Sequence, residues 1–199
     1  MQWLQLAASR GAVPPKHYLG MMYESGIGVP VDYNMARDLY IEASRERLPD
    51  SMYNLALMYA HGRGVGQNYL EAVRLLNTAA SEHKHPAAAL ALALMRVHGL
   101  GVEVDYGDAF KWLELAMKGE TSISTEASRV KDILSESVRN AEDYADSIIG
   151  QHNLMNEDPE VVDKHRRQLM MQYLQNNNPN VHLNPDLRLK IKKQRWGSL

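Results

Sequence analysis

The sequence predicts an all-α solenoid built from paired antiparallel helices, and three observations predict it. A glycine loop of the form Gly-x-Gly-Val occurs at residues 26–29, 62–65 and 99–102, so its copies lie 36 and 37 residues apart. A fixed period of that size is typical of stacked-repeat proteins. Apolar residues at helical spacing precede each loop, and an Asp or Asn followed by Tyr begins the segment after it. The predicted unit is therefore helix, glycine loop, helix.

Each element of this unit has a reason in the sequence. Gly26 can take a left-handed conformation that would strain a residue with a Cβ by roughly 1–2 kcal/mol, and Gly28 lets the backbone turn tightly. A short polar residue then caps the free N–H groups of each second helix; these residues are Asp32, Asn68 and Asp105. The second helices carry apolar stripes at i, i+3, i+4 and i+7, namely Ala36/Leu39/Tyr40/Ala43, Ala72/Leu75/Leu76/Ala79 and Ala109/Trp112/Leu113/Ala116.

The full register, L-G/A-x-M-Y-x-x-G-x-G-V-x-x-D-Y-x-x-A, recurs three times within residues 1–120 and resembles the Sel1-like repeat family. These proteins are relatives of the tetratricopeptide repeat with a longer loop between the paired helices. Arg96 stands where the family has an aromatic residue and Asn68 where it has Asp, and neither change disturbs the register. The resemblance implies a right-handed superhelical solenoid of paired antiparallel helices with a helical C-terminal cap.

The segments around the repeats complete the predicted order of elements. Residues 1–12 match the second half of a repeat and predict a helix over 2–9, so we expect either a half-repeat cap or a piece of a longer protein. Three repeats follow at about 13–48, 49–84 and 85–120, and Pro86 suits the first turn of a helix. A cap of one or two helices is predicted over 121–155, another helix over 156–175, and an extended basic tail over 176–199.

Composition excludes several classes of function. The chain has no cysteine, which removes disulfide frameworks, thiolate catalysis and Cys-ligated zinc. It therefore does not resemble the cysteine-rich secreted branch of the family, to which penicillin binding or β-lactamase activity is attributed, and a hydrolase of that type is the least favoured alternative. No window approaches the eighteen or so uninterrupted apolar residues of a membrane span. We expect a soluble protein, with the compartment left open between cytoplasm and periplasm.

No catalytic, cofactor-binding or metal-binding residue is predicted. A dinucleotide site needs a strand before its glycines, whereas here a helix precedes each loop. His61 and His98 occupy equivalent loop positions, and His83 and His85 lie two residues apart, but none has further ligands at helical spacing to complete a tetrahedral set. We expect these to be surface histidines. No nucleophile elbow such as G-x-S-x-G is present.

Charge is distributed unevenly along the chain, although its total is −2. Basic against acidic residues number 11 and 13 over residues 1–120, 3 and 8 over 121–158, and 8 and 3 over 159–199. The acidic body argues against nucleic-acid binding. The alternating basic tail is instead expected to be a solvated tail or a segment that docks on a partner protein, with self-association and an anionic membrane surface as further alternatives. Docking through the tail is the alternative to binding in a groove of the solenoid, and its candidate contacts are Leu187, Arg188, Leu189, Lys190, Ile191, Lys192 and Trp196.

The tetratricopeptide-like geometry implied by the resemblance also places one set of first-helix residues on the concave face. They are His17, Met21, Glu24, Tyr53, Leu57, Ala60, Leu90, Leu94 and Val97. Most are apolar, which suits a groove that receives a helix or extended segment of another protein; the alternative is that some are core residues of a tight superhelix. The resulting hypothesis is a non-enzymatic scaffold or adaptor, which the resemblance places in a bacterial signalling, envelope or secretion assembly.

Overall fold

The computed structural model describes residues 13–151 and 158–177, together with Leu6 and Arg10, and within them it contains eight α-helices and no strand. The helices are α1 (Val13–Ser25), α2 (Tyr33–Arg45), α3 (Pro49–His61), α4 (Tyr69–His83), α5 (Pro86–His98), α6 (Tyr106–Ala116), α7 (Thr121–Gln151) and α8 (Pro159–Asn176). None of them combines the length and the apolarity needed to cross a membrane.

Three helical hairpins form the repeats. Helices α1 and α2, α3 and α4, and α5 and α6 pair across the glycine loops, and each second helix also packs on the first helix of the next repeat. The predicted all-α solenoid of paired helices is therefore confirmed. Its core lies between the helices, where the alanines of the second helices are fully buried: Ala36, Ala43, Ala72, Ala79, Ala109 and Ala116. Small side chains at these positions let neighbouring helices approach closely.

Local signals in the sequence fix the helix ends as predicted. Asp32, Asn68 and Asp105 each accept a hydrogen bond from a backbone N–H in the first turn of the following helix, at 2.8–3.1 Å. Each loop is closed by one backbone hydrogen bond. The N–H of the capping residue donates to the carbonyl of Tyr23, Tyr59 or Arg96 at 2.9–3.1 Å. All six loop glycines have positive φ, between 65° and 73°. Pro86 begins α5, as its position predicts.

The second glycine of a loop also carries a contact between repeats. A Cβ added to Gly64 would lie 2.6 Å from the carbonyl oxygen of Tyr33, and one on Gly101 would lie 2.7 Å from the carbonyl carbon of Tyr69. Each tyrosine begins the second helix of the preceding repeat. Arg37 strengthens the first junction, because its Nη1 donates to the Gly64 carbonyl at 2.7 Å. The loop backbone therefore forms part of the stacking surface.

The chain divides into two compact units, Met1–Ser124 and Thr125–Leu199. The sequence left open whether residues 121–155 form one helix or two, and the structure shows one continuous helix over Thr121–Gln151. Within the second unit, two side-chain contacts join the end of α7 to α8. Arg166 Nε lies 2.9 Å from Asp146 Oδ1, and the rings of Tyr144 and Tyr173 lie 5.1 Å apart.

Two predicted segments fall outside the described residues. The helix over 2–9 is represented only by Leu6, and the basic tail only by Asn176 and Asn177. The tail contacts Leu187, Arg188, Leu189, Lys190, Ile191, Lys192 and Trp196, and the proposed self-association, stay predictions. The domain boundaries likewise stay predictions.

Candidate functional site

Contacts with its own second helix and with the next repeat fix how a first helix is turned. Gly20 of α1 faces its own second helix, where it meets the ring of Tyr40. His17 faces the next repeat, since its Nδ1 lies 2.9 Å from the Oγ of Ser51 in α3. Tyr53, at the equivalent position of α3, likewise turns toward α5, and its ring lies 5.4 Å from that of His85. The remaining side of each first helix is the one left for solvent or a partner.

The predicted groove residues lie mainly on the side that faces the next repeat. Seven of the nine are buried in the free chain, namely His17, Met21, Glu24, Leu57, Leu90, Leu94 and Val97. Tyr53 and Ala60 are half-buried. This burial agrees with the alternative that part of the set is the core of a tight superhelix. Contact of these residues with a partner stays a prediction, because seven of them already have a packing role.

The solvent side of the first two repeats carries a different set of residues. Successive residues of a helix turn by 100°, so Tyr18 lies about 160° from Gly20 and nearly opposite the second helix. Tyr18 is 41% exposed, and its register equivalent in α3 is the half-buried Asn54. We call this surface the outward line; it consists of Pro14, Tyr18 and Ser25 in α1 and of Asp50, Asn54 and His61 in α3.

The outward line is exposed in the first repeat, whereas in the second repeat Asp50 and Asn54 are half-buried and His61 is exposed. The equivalent positions in α5 are Ala87 and Ala91, and both are buried. His98, the equivalent of His61, is half-buried. The three repeats share one backbone fold but differ along the outward line. The first two repeats have polar and aromatic side chains there, and the third has buried alanines.

Contacts with neighbouring side chains orient two members of the outward line. The Oδ1 of Asp50 lies 3.4 Å from the Nε2 of His85. The ring of Tyr18 meets the ring of His17 edge-on, with centroids 5.6 Å apart. The surface is therefore built on rigid helices with supported side chains, which lowers the entropy lost when a partner binds.

The described part of the chain contains no group of three or more His, Cys, Asp or Glu side chains that could hold a metal ion. His61 is exposed, as expected of a surface histidine, whereas His83, His85 and His98 are half-buried. His85 has a structural task, because its Nδ1 accepts the N–H of Ala88 and caps α5.

Sequence reasoning did not select Tyr18 and Asn54 as candidates. Both lie one position beyond the predicted groove residues His17 and Tyr53, and one residue rotates a helix position by 100°. The register alone cannot show that rotation. One signal was available: the position holds Tyr, Asn and Ala in successive repeats, so it varies in polarity where the core positions keep apolar or small residues.

Comparison with known proteins gives the family. The sequence model of the Sel1 repeat matches residues 1–11, 16–47, 49–83 and 86–118, which is more than half of the chain. The crystal structure of c5321, a protective antigen present in uropathogenic Escherichia coli strains and displaying an SLR fold, is 32% identical with a TM-score of 0.59, over 61% of this chain and 26% of that one.

A Sel1 repeat protein from Oxalobacter formigenes has a TM-score of 0.53 over 81% of this chain and 58% of that one; at 24% identity it supports the fold alone. The chain thus spans about a quarter of the first protein and somewhat over half of the second. No curated protein matches the chain. The repeat match over most of the first unit shows that the chain belongs to the Sel1 repeat family, whose members generally act in protein–protein interactions.

Proposed function

We propose that the chain is a non-enzymatic scaffold that holds a segment of a partner protein along the outward line of its first two repeats. One observation carries this proposal: the exposed Tyr18 and the half-buried Asn54 occupy equivalent positions in the first two repeats, whereas the third repeat has a buried alanine there. The family's general role in protein interactions supports it. A bacterial signalling, envelope or secretion assembly is the proposed setting.

The contacts available along this surface suit protein recognition. Tyr18 offers a large and partly exposed ring, and tyrosine is one of the residues that most often carry binding energy at interfaces. Asn54 offers two donors and an acceptor, which match the peptide groups of a bound chain. The half-buried Tyr53 and Ala60 border the line and extend the apolar area that a partner could cover.

Site-specific cross-linking tests the proposal and identifies the partner. A photo-reactive amino acid is placed at position 18 or 54 in the living source organism, and in a matched control at Asn77, which is exposed on the second helix α4. Positions 18 and 54 are expected to cross-link one common protein, and position 77 is not. If a protein instead cross-links from position 77 and none cross-links from positions 18 and 54, the contact lies on α4 and not on the outward line.

Affinity measurements with the identified protein complete the test. Tyr18→Ala and Asn54→Arg are expected to weaken binding at least tenfold by calorimetry, with Asn77→Arg unchanged and all three variants equally helical by circular dichroism. If both surface variants bind like the parent chain while deletion of residues 178–199 abolishes binding, the tail is the contact and the outward line is not.

A further inference from the structure

One buried hydrogen bond crosses the junction between the first two described repeats, beside the outward line. The Nδ1 of His17 in α1 lies 2.9 Å from the Oγ of Ser51 in α3. His17 is 4% exposed, and Ser51 is fully buried. The imidazole also packs against α2, since its ring centroid lies 5.8 Å from that of Tyr40. The His17 ring is therefore held from two sides, by the second helix of its own repeat and by the first helix of the next.

The two partners of this hydrogen bond are linked to the two halves of the outward line. The ring of Tyr18 meets the ring of His17 edge-on, with centroids 5.6 Å apart. Ser51 and Asn54 lie three residues apart in α3, and side chains at that spacing are neighbours on a helix. A short path of side-chain contacts and one helical turn therefore joins Tyr18 of the first repeat to Asn54 of the second.

The next junction lacks this hydrogen bond at the equivalent positions. Tyr53 and Ala88 stand there in place of His17 and Ser51, and an alanine side chain has no hydrogen-bonding group. Tyr53 packs instead on the ring of His85, with centroids 5.4 Å apart. The buried polar pair thus occurs at the junction that the outward line crosses, and it is absent at the junction beyond which the line is replaced by buried alanines.

A buried hydrogen bond of this kind specifies geometry more than it adds stability. Replacing both partners by apolar groups of the same shape can be nearly neutral or stabilising. An apolar contact tolerates small sliding of one helix along another, whereas a hydrogen bond weakens steeply as its angle departs from linearity. Binding residues must be held near their productive geometry by packing and hydrogen bonds of the residues behind them. The pair between α1 and α3 is suited to that task.

We propose that His17 and Ser51 are positioning residues for the outward line. Their hydrogen bond fixes how α1 lies on α3, and it thereby sets the spacing between Tyr18 and Asn54 that a partner segment meets. The part of this inference that concerns a partner rests on the proposed function, and the part that concerns the spacing does not. Both positioning side chains are buried, so they act through Tyr18 and Asn54.

Electron paramagnetic resonance measures the spacing in the full chain, without a partner. Because the chain has no cysteine, nitroxide labels can be attached at Ser25→Cys and His61→Cys, which are equivalent and exposed positions of α1 and α3. A control pair at His61→Cys and Asn77→Cys reports on α3 and α4, inside the second hairpin. The control distance distribution is expected to be the same in every variant.

The main variant is His17→Leu/Ser51→Ala, which introduces the residues that the third repeat has at these positions, Leu90 and Ala88. Its distance distribution between labels 25 and 61 is expected to widen. Its free energy of unfolding in urea is expected to equal or exceed that of the parent chain, because both partners of the hydrogen bond are replaced together. A distribution as narrow as that of the parent overturns the proposal.

A matched pair of single variants separates the hydrogen bond from the packing of the ring. Leucine and asparagine have nearly the same shape, and only asparagine has an amide that can take the place of the His17 Nδ1. His17→Leu is expected to widen the distance distribution, and His17→Asn is expected to keep it close to that of the parent. If both variants widen it equally, ring packing sets the spacing and the proposal is wrong.

Affinity for the protein identified by cross-linking completes the test. His17→Leu/Ser51→Ala is expected to bind it at least about fivefold more weakly at undiminished stability, whereas a merely structural role predicts no loss of affinity without a loss of stability. Unchanged affinity, where Tyr18→Ala still weakens binding, contradicts the positioning role. If Tyr18→Ala and Asn54→Arg both bind like the parent, the proposed function fails, and the distance distributions alone decide whether the pair positions α1 on α3.

Discussion

Substituting the two glycines of the second loop by alanine separates the two tasks of the loop. Gly62 and Gly64 have the same φ of 67°, so alanine brings the same conformational strain to each, roughly 1–2 kcal/mol. Their surroundings differ. A Cβ on Gly62 would meet Gln67 at an ordinary 3.5 Å, whereas a Cβ on Gly64 would lie 2.6 Å from the backbone oxygen of Tyr33.

The difference between the two variants in the free energy of unfolding therefore measures the contact between repeats. To accept a Cβ at position 64, the loop and the start of α2 must separate by several tenths of an ångström, which also disturbs the hydrogen bond from Arg37 to Gly64. Overpacking of this kind costs about 1–3 kcal/mol. We expect Gly62→Ala to lower the free energy of unfolding by about 1–2 kcal/mol, and Gly64→Ala to lower it by about 2–5 kcal/mol in all.

Urea unfolding followed by circular dichroism measures both variants on one scale. The slope of the free energy of unfolding against urea concentration is compared as well. A lower slope would show that the first repeat has detached before the main transition. Equal stability losses for Gly62→Ala and Gly64→Ala, within about 0.5 kcal/mol, would refute the conclusion that the second glycine packs against the preceding repeat.

Three further predictions follow from single contacts. Arg74 lowers the pKa of Glu71 below its usual 4.5 through a side-chain hydrogen bond, so the pair's contribution is fully present above that pH and is lost as the pH falls through the lowered pKa. Arg74→Ala should cost at most about 0.5 kcal/mol at pH 7 and progressively less as the pH falls below 4.5, by urea unfolding. Burial raises the pKa of Tyr106 above 10.0, so Tyr106→Phe should remove one group from the late part of an absorbance titration at 295 nm. Nδ1 of His85 accepts an N–H, so ¹⁵N NMR should show the Nε2–H tautomer, and His85→Ala should cost about 1 kcal/mol.

Most of the fold could be predicted because its signals are local. The caps at Asp32, Asn68 and Asp105 depend on residues two or three positions away, and the first glycine of a loop is required by its own φ. The rotation of the first helices about their axes could not be predicted, because it depends on neighbours distant in sequence. The rotation of a first helix is set by the helices on both sides, and a period alone does not show whether His17 or Tyr18 faces solvent.

The packing of the Tyr40 ring against Gly20 could not be predicted for the same reason. In the sequence, Gly20 resembles a weak point in a helix, since glycine is unfavourable there by about 1 kcal/mol relative to alanine. The structure shows that the ring of Tyr40 occupies the space that a methyl group would need. The local cost is offset by a contact twenty residues away, and a propensity argument has no access to that contact.

Stacking through the loop backbone explains how a repeated fold can present a surface that is not repeated. The junctions depend on glycine backbone at Gly64 and Gly101 and on the chain at the start of the preceding second helix, so they place few demands on first-helix side chains that point to solvent. The outward position can then hold Tyr18, Asn54 and Ala91 in turn without changing how the repeats stack. Because packing is fixed by one set of positions and the exposed chemistry by another, the exposed surface can be altered one residue at a time while the solenoid keeps its geometry.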